Sequence, residues 1–181
     1  MKTKSHFYSP QLVFAIFIVI SIFSLFDIKK VRGDSMFSTF KDNDFLLIFR
    51  AMYGMRSPFF NTYLIKWHSV RKGDIVMYKI CGKYVVKRCY ATDEDVIYFY
   101  QKSDNEKTQY FMKVEEKDIL LTKEAYYRLF LNSFKKEKGG MQKVPNGCLL
   151  LLGDNTHLSF DSRNYGYIMA NSILGKVIRW R

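Results

Sequence analysis

Apolar residues are distributed very unevenly along the chain. One run stands apart: residues 12–26, LVFAIFIVISIFSLF, contain fifteen positions without a charge. A helix rising about 1.5 Å per residue would cover a little over 20 Å here, short of a hydrocarbon core of roughly 30 Å. Phe7, Tyr8 and Ile28 can lengthen the run, and Lys2, Lys4, Lys29, Lys30 and Arg32 flank it. A cleaved signal peptide, a buried core helix and an uncleaved anchor all compete for this pattern. No A-x-A-like site follows the apolar stretch, which disfavours cleavage. The reading is an N-terminal segment and transmembrane anchor over 1–28, followed by one domain over 29–181. Positive residues on both sides leave the orientation undecided by charge.

Beyond the anchor the pattern changes from continuous to alternating. DFLLIFR, 44–50, predicts a strand, and residues 51–70, with a Ser-Pro, predict a loop. Two β-rich runs, Ile75–Cys81 and Tyr84–Tyr90, flank Gly82-Lys83, which predicts a two-residue hairpin turn. That turn would set Tyr78 opposite Lys87, and Cys89 opposite Val76. One face of the hairpin then carries Val76, Tyr78, Ile80, Val85, Lys87 and Cys89, with Lys87 its only charge. VIYFY (96–100), CLLLL (148–152) and ILGKVIRW (173–180) predict three more strands. Residues 101–143 are polar, with possible helix over 122–135, and read as a cap-like insertion. The expected class is mainly β.

With 48% hydrophobic and 17% aromatic residues, the 181-residue chain has material for a core. The net charge of +12 is dispersed and accompanied by no nucleic-acid-binding signature, so an anionic membrane surface explains it more simply. Phe37, Phe40, Phe45, Phe59 and Phe60 are candidates for that lipid interface or for ordinary core. Cys81, Cys89 and Cys148 show no zinc spacing, and the hairpin pairing removes a simple Cys81–Cys89 disulfide.

Candidate chemistry centres on RGDSMFSTF, 32–40. A serine in such a polar break is usually a turn residue, and it becomes a nucleophile only beside a base. His6, His68 and His157 carry no triad signature. Lys87 is the stronger candidate, because a lysine among apolar side chains loses hydration and its charged form is disfavoured. The competing reading is a lysine snorkelling from a sheet edge.

The motifs resemble those of the type I signal peptidases, membrane-anchored Ser/Lys peptidases. GDSMFSTF resembles the nucleophile box, usually Ser-Met-x-Pro-Thr-Leu, with Ser35 as nucleophile. KGDIVMY, with Gly73 and Asp74, resembles the next box. YVVKRCYA puts Lys87 at the general base, with Arg88 beside it. GDNTHLSFDSRNYG, 153–166, matches the final box, including Asp154, Ser159, Asp161, Arg163 and Gly166.

The resemblance implies a β-rich catalytic domain outside the plasma (inner) membrane on a single-pass anchor. It implies preprotein signal peptides as substrates, cut after small residues, with membrane lipid as the other partner. It implies that Ser159 orients Lys87, that Asp161 and Arg163 support the site, and that the Ser35 backbone N–H serves the oxyanion. Ser/Lys chemistry needs no metal and no organic cofactor. Gly33 lacks the hydroxyl that some members place two residues before the nucleophile, Ser38 replaces the usual Pro, and Phe40 the usual Leu. These departures keep two alternatives open: a maturation peptidase with a single client, and an inactive membrane-anchored binding module.

Overall fold

A computed structural model describes residues 9–57, 59–60, 62–104, 107–131 and 140–178. Helix α1, Pro10–Leu25, is built from uncharged residues only. Its described side chains are exposed. Among the described residues, no helix is long and apolar enough to cross a membrane. The helix stops at Leu25, and Phe26–Lys30 forms strand β1. Ile28 therefore belongs to the sheet rather than to an extension of the apolar run. The alternating polar residues of FDIKK suit a half-exposed strand better than a lipid-facing helix.

Seven antiparallel strands make the main sheet, in the order β1-β2-β13-β5-β6-β11-β12. They are β1, β2 (Phe45–Phe49), β13 (Ile173–Ile178), β5 (Ile75–Ile80), β6 (Lys83–Ala91), β11 (Cys148–Leu152) and β12 (Ile168–Met169). The expected strands at 44–50, 148–152 and 173–180 are present, with residues 179–180 outside the described part. Residues 51–70 depart from the expected loop. Gly54–Arg56 (β3) pairs with Tyr63–Lys66 (β4). These strands are too short to show alternation. Gly54 holds them in close contact, since a Cβ there would sit 2.3 Å from the Ile65 carbonyl oxygen.

The β5–β6 hairpin is present but shifted by two residues. Ile80 pairs with Lys83 and Val76 with Lys87, so the turn is Cys81-Gly82 rather than Gly82-Lys83. Both turn residues have positive φ, 47° and 77°, as a type I′ turn requires. Glycine takes the second position of the turn, not the first. A two-residue shift preserves the faces. Lys87, only 3% exposed, shares its face with buried Val76, Tyr78 and Cys89.

The cap is a four-stranded sheet, β10-β7-β8-β9. It comprises β10 (Met141–Lys143), β7 (Val96–Asp104), β8 (Lys107–Val114) and β9 (Lys117–Leu121), with α2 (Lys123–Leu131) packed beside it. It begins at Val96 rather than 101, because the expected strand at 96–100 runs unbroken into the polar end of the β7–β8 hairpin. Of the expected helix 122–135, residues 132–135 lie outside the described part.

Gln142 is fully buried within this cap, and neither amide atom finds a hydrogen-bond partner among the described residues. An unpaired buried amide costs about 1–3 kcal/mol. Gln142→Met is therefore expected to raise the melting temperature in a thermal denaturation series.

Candidate active site

Ser35 lies in the loop between β1 and β2. Within that loop a compact turn surrounds the serine: the Phe37 N–H donates to the Asp34 carbonyl, and the Thr39 and Phe40 N–H groups donate to that of Met36. Met36 and Phe40 anchor the turn by burial, packed in one cluster with Ile75 and Met77. Ser38 is exposed. Hydrogen bonds and two buried side chains thus hold a turn that lacks the usual proline. Of the five phenylalanines considered for a lipid interface, Phe40 is core, while Phe37, Phe45, Phe59 and Phe60 are exposed.

Gly33 has φ +84°, a conformation that favours glycine. Its N–H donates to Asp42 at 2.8 Å. The Asn155 N–H donates to the Ser35 carbonyl at 3.0 Å, which ties the turn to the 153–155 segment.

Lys87 reaches Ser35 from β6. Its Nζ donates to Ser35 Oγ at 2.7 Å. Burial pushes the lysine pKa below its ordinary value; Asp161 pulls it back up, and Arg163 pushes it down. The net effect favours the neutral amine, and with a neutral amine the bond reverses so that the serine hydroxyl donates. His157 and His68 are exposed and neither bonds to Ser35; His6 lies outside the described residues.

Two buried or half-buried ion pairs brace this contact. Arg88 grips Asp154 as a fork, Nε to Oδ1 at 2.8 Å and Nη2 to Oδ2 at 2.7 Å. The same Nη2 donates to Thr39 Oγ1 at 2.9 Å, and Thr39 donates on to Asp154. The nucleophile turn is thereby tied to β6. Arg163 makes the second fork, on Asp161, at 2.9 and 2.7 Å. Asp161 also accepts from the Gly153 N–H at 2.9 Å. It caps the short helix α3, Ser162–Tyr165, in a capping box with Asn164.

Gly153 has no room for a side chain. A Cβ would fall 2.2 Å from Ser159 Oγ and 2.6 Å from the Ser35 carbonyl oxygen. Ser159 thus sits across Gly153 from the nucleophile turn. Its hydroxyl is buried without a hydrogen bond of normal geometry, though close enough to Asp161 to help lower that carboxyl. The expected bond from Ser159 to Lys87 is not among the contacts made.

Burial alone would raise the Asp161 pKa; the Arg163 fork and the Gly153 N–H reverse this and hold it below the usual carboxylate value. A carboxylate with a depressed folded-state pKa stabilises above its unfolded pKa and loses that contribution as pH falls through the folded value. Asp161→Asn leaves the Arg163 charge without its partner. It should cost about 3–5 kcal/mol, measured by denaturant unfolding at neutral pH, with the difference from wild type shrinking in acid.

The structure brings Ser35, Lys87, Arg88, Asp154, Ser159, Asp161 and Arg163 into one locality. Thr39 and Gly153 were not singled out from the sequence, although both occupy positions within the quoted boxes. Asn155 contributes through its backbone, for which no side-chain signal exists. The three cysteines are free; Cys89 is buried and Cys81 exposed. Burial pushes the Cys89 thiol up to about 12.

The family model described as signal peptidase, peptidase S26, matches residues 5–180, and the chain belongs to that family. Its family makes the protein a hydrolase, a serine endopeptidase, on a β scaffold. It is 30% identical to signal peptidase I of Bacillus caldolyticus over 81% of this chain and 74% of that protein. It is 23% identical to signal peptidase I of Buchnera aphidicola subsp. Baizongia pistaciae over 98% of this chain and 79% of that protein. A third relative, signal peptidase I V of Bacillus subtilis strain 168, is 27% identical over 82% and 81%.

Proposed function

We propose that the protein is a membrane-bound serine endopeptidase that removes signal peptides from exported preproteins after small residues, with Ser35 and Lys87 as a catalytic dyad. The observation that carries this reading is the buried Lys87 amine 2.7 Å from the Ser35 hydroxyl. Neutral Lys87 takes the Ser35 proton as Oγ attacks the scissile carbonyl, then returns it to the leaving amine. Water, deprotonated by the same amine, releases the acyl group. The Ser35 N–H stabilises the oxyanion, and one such donor is worth about 10²–10³ in rate. Gly33 supplies no hydroxyl to assist. Ser159 positions Lys87 once substrate excludes water, while Arg88–Asp154 and Asp161–Arg163 hold the frame.

The N-terminal segment containing α1 is read as a single-pass anchor in the plasma (inner) membrane. It spans roughly 24 Å at about 1.5 Å per residue, which local thinning and flanking lysines can accommodate. The catalytic domain is extracytoplasmic in this reading, and the exposed phenylalanines suit the lipid interface. Gly33 and Ser38 favour one alternative, a maturation peptidase with a single client.

The test is cleavage of a model preprotein in liposomes, with the new N-terminus sequenced. Cleavage after small-x-small supports the general peptidase. Cleavage of one client alone supports the dedicated enzyme. No cleavage by folded protein supports a binding role.

A further inference from the structure

We infer that the β3–β4 hairpin lies in the lipid interface at the end of α1, as a second membrane contact that holds the catalytic domain against the bilayer. The inference rests on the anchor reading above.

The hairpin exposes apolar side chains on both of its faces. Leu64 and Ile65 are neighbours on β4, so they point to opposite sides. Both are exposed, at 59% and 56%. Met55, the cross-strand partner of Ile65, is exposed as well, and so are Phe59 and Phe60 in the turn. A partner protein docked from one side would cover one face of such a ribbon. An apolar medium covers both.

The ribbon is nevertheless firmly built. Arg56 Nη1 donates to the Asn171 carbonyl at 2.9 Å and to the Ile173 carbonyl at 2.5 Å. The Tyr63 hydroxyl donates to the same Ile173 carbonyl at 2.7 Å. In the turn, the Phe59 and Phe60 N–H groups donate to Ser57 Oγ at 3.2 and 3.1 Å. These bonds fix the hairpin to the start of β13 and present its apolar surface outward.

Its place in the chain points to lipid as the occupant. The hairpin is entered from Arg50, whose N–H donates at 2.8 Å to the carbonyl of Leu25, the last residue of α1. Phe26 then stacks on Phe49, ring centres 5.1 Å apart. At the far end of β4, the Trp67 indole N–H donates to the Ala51 carbonyl at 3.1 Å. Trp67, half-exposed, thus lies beside the end of the apolar helix, at the depth tryptophan favours in a bilayer. Charge agrees. Between Phe45 and Gly73 stand Arg50, Arg56, Lys66, Arg71 and Lys72, and no acidic residue. That balance suits anionic headgroups.

The experiment uses the full-length protein in vesicles of phosphatidylcholine and phosphatidylglycerol, with Trp180→Phe so that Trp67 is the remaining indole. Lipids brominated near the headgroup end of the acyl chains should quench its emission more than lipids brominated near the methyl end. Phe17→Trp, in a chain that also carries Trp67→Phe and Trp180→Phe, reports on α1 in the same vesicles. A quenched α1 indole beside an unquenched Trp67 overturns the inference and leaves the anchor reading intact. No quenching of either overturns the anchor reading and this inference with it. Trp67 emission that follows protein density in the vesicle and ignores bromine marks a second copy as the occupant, and overturns the inference too. Phe59→Ser together with Phe60→Ser should lower kcat/KM on a vesicle-borne preprotein about ten- to a hundredfold, the range for a misplaced reactive site. It should leave kcat/KM on a short soluble peptide unchanged. Equal losses on both substrates mark a structural role and overturn the inference.

Discussion

Ser35→Ala is expected to abolish preprotein cleavage while leaving the protein folded. The expected fall is on the order of 10⁴–10⁶ in kcat, the range for removing a nucleophile whose partners act as a unit with it. The fold should survive because the turn does not depend on the hydroxyl. Met36 and Phe40 hold it by burial, and the Ser35 carbonyl keeps its bond from Asn155. Losing one hydrogen bond costs about 1 kcal/mol. A gel-shift cleavage assay beside a thermal melt measures both quantities. Substantial cleavage by a folded Ser35→Ala protein would remove Ser35 from the mechanism.

Lys87→Met should be equally inactive and, unusually for a core substitution, more stable. Methionine nearly matches the lysine stem in volume and needs no hydration. The native lysine sits 3% exposed among apolar side chains, and burial disfavours its charged form. Below the folded-state pKa both native and unfolded lysine are protonated, and the buried charge carries its full cost. As pH rises through the depressed folded value, the native amine sheds its proton and the cost is relieved, until the unfolded lysine also titrates near 10.5. The stability advantage of Lys87→Met is therefore greatest at low pH and shrinks as pH rises. An advantage of about 1 kcal/mol corresponds to a rise of roughly 2–4 °C. Wild-type kcat/KM should climb with pH and level off with an inflection below 10.5. A Lys87→Met protein that is destabilised at every pH would mark the lysine as a structural element.

The two residues at the centre of the site were legible in the sequence for different reasons. Lys87 stood out because strand alternation isolates one charge on an apolar face, and that inference survived a two-residue error in the pairing register. An error of one residue would have exposed it. Ser35 carried no physical signal by itself and depended on the resemblance of its box. The apolar strands β2, β5, β6, β11 and β13 were readable; β3 and β4, at three and four residues, were not, nor were β8 and β9 within the polar insertion. β1 was hidden because its first residue continues an apolar run. Ser159 shows the limit on the chemical side. Its motif position names it, yet its hydroxyl makes no bond to Lys87 and lies beside Asp161, a side-chain rotation that no sequence pattern encodes. The Arg88–Asp154 fork was anticipated as support, but its extension through Thr39 to the nucleophile turn is a product of tertiary approach.

The order of strands carries one more consequence. In the main sheet, β13 lies between β2 and β5, pairing with both. The strands around the serine and the strands bearing the lysine are thus joined edge to edge through a segment made late in synthesis. Until Ile173–Ile178 has inserted, the β1–β2 pair and the β5–β6 hairpin are separate pieces of sheet. The register between the Ser35 loop and the Lys87 strand is therefore set through Ile173–Ile178.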